Sequence, residues 1–579
     1  MTLAELIHTG WRGTSLTPLN EVDMALAHAL NQQQASADVR HLWLVALVSH
    51  QWGRGHACLD LQAWPTTAHD LLGWNDAALA AIPADLREAI ASLPWAKGEG
   101  SPLVVTGERV YLRRAWLAEQ RIRQQLMALQ QVRQPPQDVA QQLQRLFGNN
   151  PDDQQRLACA HAAANALTLI TGGPGTGKTT TVVKLLRLLQ AGSATPLRTL
   201  LAAPTGKAAA RLMQTMAQAR TQLSPDEAAC LPTRAHTLHK LLFAPHGGSV
   251  RLQADVIVVD EASMIDVELM AKLLLAVPAQ SRLVLLGDKD QLASVEAGAV
   301  MAQLCQAPWL QSHTIALTHS HRFDPQQGIG AWARACLQGD RSNLQQLWHD
   351  APVGLGVSPD GVSKLTALHS HSPPTLQAIA QAWSPWQALL APHQQGVTCD
   401  DAQALALLNS FTRVGVLCAL REGPWGVKQI NTQLQQALGF ANTDWFVGRP
   451  VMARRNDYAL GLMNGDMGMC LPTWVDGQVR LRVAFPDGQG GVRWLVTSRL
   501  EDVDTVFAMT VHQSQGSEFE QVLLILPDLA TPVLSRELVY TGITRARQQL
   551  CVWAPQPALL MSAIQAQLLR SGGLADDLP

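Results

Sequence analysis

The sequence predicts a multidomain α/β protein with two mainly parallel sheets, a mainly helical N-terminal region and a small β-rich insert. Three observations predict it. From about residue 148, short apolar strands recur at Leu167–Thr171, Thr199–Ala203, Val256–Val259 and Leu283–Leu286, each followed by a loop and a helical pattern. A second set stands at Val414–Cys418, Val522–Leu526 and Leu550–Trp553. Between the second set's members, Met467–Leu471, Val479–Phe485 and Val492–Thr497 read as strands joined by Asp-Gly turns. Strands alternating with helices make a parallel sheet covered on both faces, with functional loops at the C-terminal strand ends.

The N-terminal region is helical by periodicity over Val22–Leu30 and Val39–Val48, with a hairpin at Leu103–Leu112 around Gly107-Glu108 and a long helix to about Gln131. Gln134-Pro135-Pro136-Gln137 reads as a linker. The expected domains are therefore 1–133, 134–325 and 326–579, with the insert at about 462–500. A chain of 579 residues is too long for one core, which agrees with several domains.

Composition narrows the class. The net charge of −2 excludes a generally basic, nucleic-acid-coating protein, so any nucleic acid must lie in a local channel. No apolar run approaches the roughly 18–20 residues of a membrane span. Met1–Glu5 does not open a secretory leader, and a cytoplasmic location is expected. Nine scattered cysteines without C-x-x-C argue against a disulfide framework or zinc site.

Gly172-Gly173-Pro174-Gly175-Thr176-Gly177-Lys178-Thr179 fits G-x-x-x-x-G-K-[ST] between a strand and a helix. Its glycines let backbone N–H groups face phosphates, and the following helix directs its positive end at them. Lys178 would reach the β/γ-phosphates and Thr179 would bind Mg²⁺. Val256–Val259 then delivers Asp260 and Glu261 to a strand end, Asp260 for Mg²⁺ and Glu261 for the attacking water. Gly287–Leu292 caps the next strand and presents Gln291 as a reader of the γ-phosphate. Near the C-terminus, Tyr540–Arg547 offers arginine from a second domain.

With these motifs in this order, the chain resembles the superfamily 1 class B DNA helicases, and most nearly the RecD family. The resemblance extends through Ala203–Ala209, Asp260–Met264, Ser320-His321-Arg322-Phe323, Arg454–Tyr458, Asn464-Gly465-Asp466, Thr510–Phe519 and, in the N-terminal region, Gly55–Leu61. It implies two RecA-like P-loop motor domains, and it makes the insert an SH3-like element. By position it implies that Gln155 reads adenine, that Gly172–Thr180 (with Thr180 included) cradle ATP, that Glu518 lies on the nucleotide side, and that Arg322 and Arg545 reach the γ-phosphate. Pro204, Thr205, Thr237, His239, Thr510 and His512 fall in segments that line a single-stranded DNA track. A helix cap, a loop hydrogen bond or a packed histidine is the competing role for these six. Relatives often carry tyrosine where this chain has His321.

The resemblance further implies 5′-to-3′ travel on single-stranded DNA from duplex ends, and assembly with RecB-like and RecC-like subunits, with residues 1–133 as the docking domain. The assembly's nuclease type requires [DE]-x-Lys. None of the nine lysines has Asp or Glu two residues before it, so the chain is expected to be a motor without a phosphodiesterase site. Two other readings remain open at this stage: a docking subunit that uses ATP as a switch, and a stand-alone class B helicase, although helix-hairpin-helix repeats are not seen.

Overall fold

Ile257 and Val259 turn to one hydrophobic core while Val256 and Val258 turn to another, so this strand is buried on both faces. The same division holds for Leu283 and Leu285 against Val284 and Leu286. Side chains alternate along a strand, and a continuous apolar run is what a sheet covered on both faces needs. Each such Val, Ile or Leu stabilises the fold by about 1.5–3 kcal/mol through burial. The computed structural model describes residues 19–577 apart from 65–67, 69–73, 75, 81, 151, 194, 243–249, 353–361, 366–374, 458, 489 and 569. Met1–Glu5 and Tyr458 lie outside the described residues.

The N-terminal domain pairs helices Glu21–Gln33 and Val39–Gly53, N-capped by Asn20 and Asp38, over a core that includes Trp43, Trp74 and Trp95. Its antiparallel sheet has the order β1 (Leu59–Asp60), β3 (Arg109–Leu112), β2 (Leu103–Thr106). The helix Arg113–Leu129 then packs Ala118, Ile122, Leu126 and Leu129 into the core of the next domain. The expected boundary at 133 thus follows a helix that both domains share.

The first motor domain has β4 (Leu167–Gly172), β5 (Thr199–Ala203), β6 (Ala235–Thr237), β7 (Val256–Val259), β8 (Arg282–Gly287) and β9 (Thr314–Leu317). All pair in parallel, in the order β6-β5-β7-β8-β4-β9. Since β8 lies between β7 and β4, the loops after these three strands converge at one edge.

The second motor domain opens with the helices Gly328–Gln338 and Arg341–Asp350, whose Ile329, Trp332 and Leu344 enter its core, and its first strands are β10 (Val362–Leu365) and β11 (Val414–Cys418). The insert follows as β12 (Pro450–Ala453), β13 (Met467–Val475), β14 (Gln478–Pro486), β15 (Val492–Val496) and β16 (Val503–Thr505). It is an antiparallel sheet of order β15-β14-β13-β12-β16. The insert therefore reaches past the expected 462–500 at both ends, because β12 and β16 are short strands that pair only with each other and β13. The motor sheet resumes with β17 (Ala508–Thr510), β18 (Phe519–Ile525) and β19 (Ala546–Trp553), parallel throughout in the order β10-β19-β18-β11-β17.

Residues 570–576 return to the N-terminal domain. Ala57 N donates to the Ser571 carbonyl at 2.8 Å, and Gly573 N donates to both carboxylate oxygens of Glu119 at 3.1 and 3.0 Å. Arg109 pairs with Asp576, and Arg123 donates to the Gly573 carbonyl. Leu574 enters the first motor core, and its carbonyl accepts from Trp309 Nε1 at 3.3 Å. This strap joins the N-terminal domain to the first motor domain. None of the nine cysteines is in a disulfide. Among the described residues, no helix is long and apolar enough to cross a membrane.

Candidate active site

β4 is buried along its length and ends at Gly172, where the chain turns through Gly173–Gly177 into the helix Lys178–Ala191. Gly175 and Gly177 have φ of +81° and +82°, a region that costs a side-chain-bearing residue about 1–2 kcal/mol. A Cβ on Gly175 would also lie 2.5 Å from the Arg322 Cβ, and one on Gly173 would lie 2.7 Å from the Tyr540 hydroxyl. The loop is thus backbone packed against residues of other segments.

It forms one side of a cavity of about 650 Å³. Gly173, Pro174, Gly175, Thr176, Gly177, Lys178, Thr179 and Thr180 all line it. Gly172 does not line the cavity; its carbonyl accepts a 2.5 Å hydrogen bond from Lys178 Nζ. The other lining residues expected from the sequence are Gln155, Asp260, Glu261, Gln291, Arg322, Glu518 and Arg545. One cavity therefore gathers residues from both motor domains.

Gln155 sits at the loop, where its Nε2 donates to the Thr176 carbonyl at 3.3 Å and lies 3.4 Å from His321 Nε2. His321 N in turn donates to the Gly175 carbonyl at 2.8 Å, which ties the segment after β9 to the phosphate loop.

Asp260 and Glu261 follow β7. Glu261 has φ of +53°, a strained conformation for glutamate that sets its side chain apart from the strand's direction. Burial, with the Glu261 charge beside it, pushes the Asp260 carboxyl up against the pull of Lys178. A cation at the carboxylate would return it to the ionised form. Thr179 and Asp260 line the same cavity, and their oxygens suit a hard divalent ion. Among the described residues, no group of three or more His, Cys, Asp or Glu could hold a metal.

The loop after β8 crosses to the second motor domain. Leu292 enters that domain's core; its N–H donates to Thr541 Oγ1 at 2.9 Å and its carbonyl accepts from Gln515 Nε2 at 2.6 Å. Gln291 Nε2 donates to Asp288 Oδ2 at 2.8 Å, and Gln291 Oε1 accepts from Arg545 Nη2 at 2.8 Å. Arg545 is 2% exposed and is held further by the carbonyls of Thr541 and Ser517. Burial pushes the Arg545 guanidinium down, opposed by the charges of Glu261 and Glu518. Asp288, raised by burial, also accepts from the Tyr540 hydroxyl at 3.3 Å.

Glu518 lies between two guanidinium groups. It accepts from Arg322 Nη2 at 2.7 Å and pairs with Arg211 of the helix Gly206–Thr221. Burial would raise its pKa, yet the charges of Arg211 and Arg322 hold it down at about 2. Arg322 Nη1 is buried without a hydrogen-bond partner, so this guanidinium keeps a free donor in the cavity.

A second cavity, of about 860 Å³, lies between the N-terminal domain, both motor domains and the insert. Pro204, Thr205, Thr237, His239 and His512 line it. Thr205 also N-caps its helix by accepting from Ala208 N, and Thr237 accepts from Lys240 N. Burial, then the Arg570 charge, lowers His512 to about 4, so it is neutral at pH 7. Thr510 does not line this cavity. Its hydroxyl exchanges hydrogen bonds with Gln513, which is the local loop role.

Sequence reasoning missed Arg211, Asp288, Tyr540 and Lys207. Lys207 follows the motif threonine and lines the second cavity, and its ammonium is buried without a hydrogen-bond partner. Burial lowers it to about 8, with Asp466 pulling it up and Arg545 pushing it down. The motifs Ala203–Ala209, Gly287–Leu292 and Tyr540–Arg547 contained Lys207, Asp288 and Tyr540 without giving them a role, whereas Arg211 owes its own to Glu518, 307 residues away.

Three family models match this chain: an AAA domain over residues 155–297, a UvrD-like helicase C-terminal domain over 505–553, and the N-terminal domain of the RecBCD enzyme subunit RecD over 16–111. The RecBCD enzyme subunit RecD of Mycolicibacterium smegmatis is 38% identical, over 96% of this chain and 97% of that protein. That of Haemophilus influenzae is 32% identical over 96% and 97%. The ATP-dependent RecD2 DNA helicase of Deinococcus radiodurans is 31% identical over 77% of this chain and 55% of that protein. The structure of Bacteroides Pif1 bound to ssDNA covers 71% of this chain and 95% of its own at 16% identity, with a TM-score of 0.36.

Proposed function

Because this chain belongs to the RecD family of RecBCD enzyme subunits, we propose that it is an ATP-dependent DNA helicase subunit that moves 5′-to-3′ on one strand from a duplex end. The Gln291–Arg545 hydrogen bond carries this reading, since it joins the γ-phosphate reader of one motor domain to an arginine of the other inside a single cavity. A group that bridges two domains at a hydrolysable phosphate converts bond cleavage into domain movement.

The residues divide the work. The N–H groups of Gly173–Gly177 and the Lys178 ammonium hold the phosphates. Mg²⁺, when bound by Thr179 and Asp260, neutralises phosphate charge. Glu261 orients a water toward the γ-phosphorus; the water's oxygen bonds to phosphorus as the bond to the β-phosphate oxygen breaks, ADP leaves with that electron pair, and the water's proton passes by way of Glu261 to solvent. Arg322 and Arg545 stabilise the charge on the transferring group. Closure and reopening then shift the grip on DNA in the second cavity. Binding there is expected to be salt-dependent and largely indifferent to sequence.

RecB-like and RecC-like subunits are the proposed partners, in the cytoplasm, with the N-terminal domain as the docking face; its match to the RecD N-terminal model supports this. The chain is proposed to cut no phosphodiester bond itself. The deciding experiment is strand displacement by the purified chain, and by the reconstituted complex, on duplexes with a 5′ or a 3′ tail, with Lys178→Gln as control. Opening of the 5′-tailed duplex alone, lost in Lys178→Gln, is expected. Opening of the 3′-tailed duplex alone would overturn the direction. Equal unwinding and processivity of the Lys178→Gln complex would leave only the docking role.

A further inference from the structure

Trp52, near the end of the helix Val39–Gly53, and Arg114, near the start of the helix Arg113–Leu129, both belong to the N-terminal region, yet both line the second cavity with Thr205 and His239. The Arg114 guanidinium lies over the Trp52 ring, 4.5 Å from its centroid, and its Nε approaches Glu268 at 3.8 Å. Arg114 keeps 60% of its side chain exposed, and Val295 on the same lining is 70% exposed. Trp52 is half-buried: it packs against the N-terminal and first motor cores and still reaches the cavity.

The lining sets Asp266, Glu268 and Glu296 against Arg114, Lys207 and Lys272, and each acidic group is already engaged nearby. Asp266 is used as a helix cap, accepting from Leu269 N at 2.9 Å, and Glu268 faces Arg114. Glu296 lies beside the Arg570 charge. Lys207, by contrast, has a buried ammonium without a hydrogen-bond partner. The Asp466 charge acts on it without a hydrogen bond, and a phosphate oxygen in the cavity would supply that bond. An indole capped by a guanidinium offers flat faces for stacking. Anionic groups spaced along a chain that also carries flat rings describe single-stranded nucleic acid.

Resting on the reading of this cavity as the DNA track, we propose that the N-terminal domain supplies one wall of it, with Trp52 and Arg114 stacking on a base of the strand whose phosphate Lys207 binds. The N-terminal domain is then a DNA-contacting element as well as a docking face. Trp52 gives the track one position that senses the presence of a base, whereas a track of phosphate contacts alone senses none.

The test uses the full chain and labelled oligo(dT) with a single abasic site moved along it. Wild type is expected to lose about tenfold in affinity when the abasic site meets Trp52, the scale of one stacked base. Trp52→Ala is expected to bind intact oligo(dT) about tenfold more weakly and to lose that abasic-sensitive position, while Trp52→Phe keeps it. Lys207→Met should lower the steepness of the salt dependence by about one phosphate contact. A flat abasic profile for wild type overturns the proposal. So does an unchanged profile in Trp52→Ala accompanied only by a lower melting temperature, which is what a purely packing role would produce. Wild type that binds no single strand would overturn the helicase reading itself, a result distinct from either.

Discussion

Arg545 donates from Nη2 to Gln291 Oε1 at 2.8 Å, a bond that spans 254 residues of chain and the junction of the two motor domains. The same guanidinium is buried and fixed by two carbonyls, so it is already aimed before any phosphate arrives. Arg545→Ala should lower the kcat of DNA-stimulated ATP hydrolysis by about 10³-fold or more, as arginine fingers do in GTPases, with little change in ATP affinity. Because the two residues act as a pair, Gln291→Ala with Arg545→Ala should cost much less than the product of the single losses. Steady-state kinetics of the four proteins measures this; full additivity would show that the bond has no part in turnover.

Glu518 holds Arg211 and Arg322 together, and removing its charge leaves two guanidinium groups without their counterion. Glu518→Gln should destabilise the chain by about 3 kcal/mol, the scale for breaking a buried pair. The sign with pH follows from the folded pKa, lowered from 4.5 to about 2. Stability from the charged group is fully present above pH 4.5 and is lost as pH falls through about 2. Urea unfolding across that window should show the gap between wild type and Glu518→Gln closing with acid.

Lys207 should make DNA binding depend on pH. Its free-state pKa is about 8, and a bound phosphate favours the charged form. Affinity for single-stranded DNA should therefore fall as pH rises from 7 to 9, with proton uptake on binding above pH 8. Lys207→Arg keeps its charge throughout this range, and its titration curve should be flat. Equal slopes for the two proteins would assign the pH dependence elsewhere.

Gly175→Ala should disable nucleotide binding. The new Cβ would sit at a φ of +81° and 2.5 Å from the Arg322 Cβ, so both the loop and Arg322 must shift. A loss of at least tenfold in affinity for a fluorescent ATP analogue is expected, along with a stability loss of about 1–2 kcal/mol from the backbone alone.

The sheets and the phosphate loop were legible because their signals are local. Val256–Val259 is four apolar residues in a row, and the loop's spacing is contained in eight positions. β6 and β16, of three residues each, are too short to show a period, and β10 likewise went unread. Arg211 was not legible because its partner Glu518 is 307 residues away. Thr510 looked like a DNA-facing hydroxyl from its motif, but the nearer Gln513 side chain claims it. Trp52 lies beyond the Val39–Val48 pattern read from the sequence, and nothing local says that a motor-domain cavity opens beside it.

Glu119 and Gly573 meet across 454 residues of chain. A ribosome adding roughly 5–20 residues per second needs on the order of half a minute to a minute and a half to make that stretch. Throughout that interval the Glu119 carboxylate lacks the backbone N–H groups that the strap brings, and the N-terminal domain lacks the clamp that fixes it to the first motor domain. The helix Arg113–Leu129 already packs into the first motor core, so what comes late is the second tie, added by residues 570–576. A nascent chain halted before them carries a complete phosphate loop, with its N-terminal domain held to the first motor domain through the helix Arg113–Leu129 but not yet through the strap.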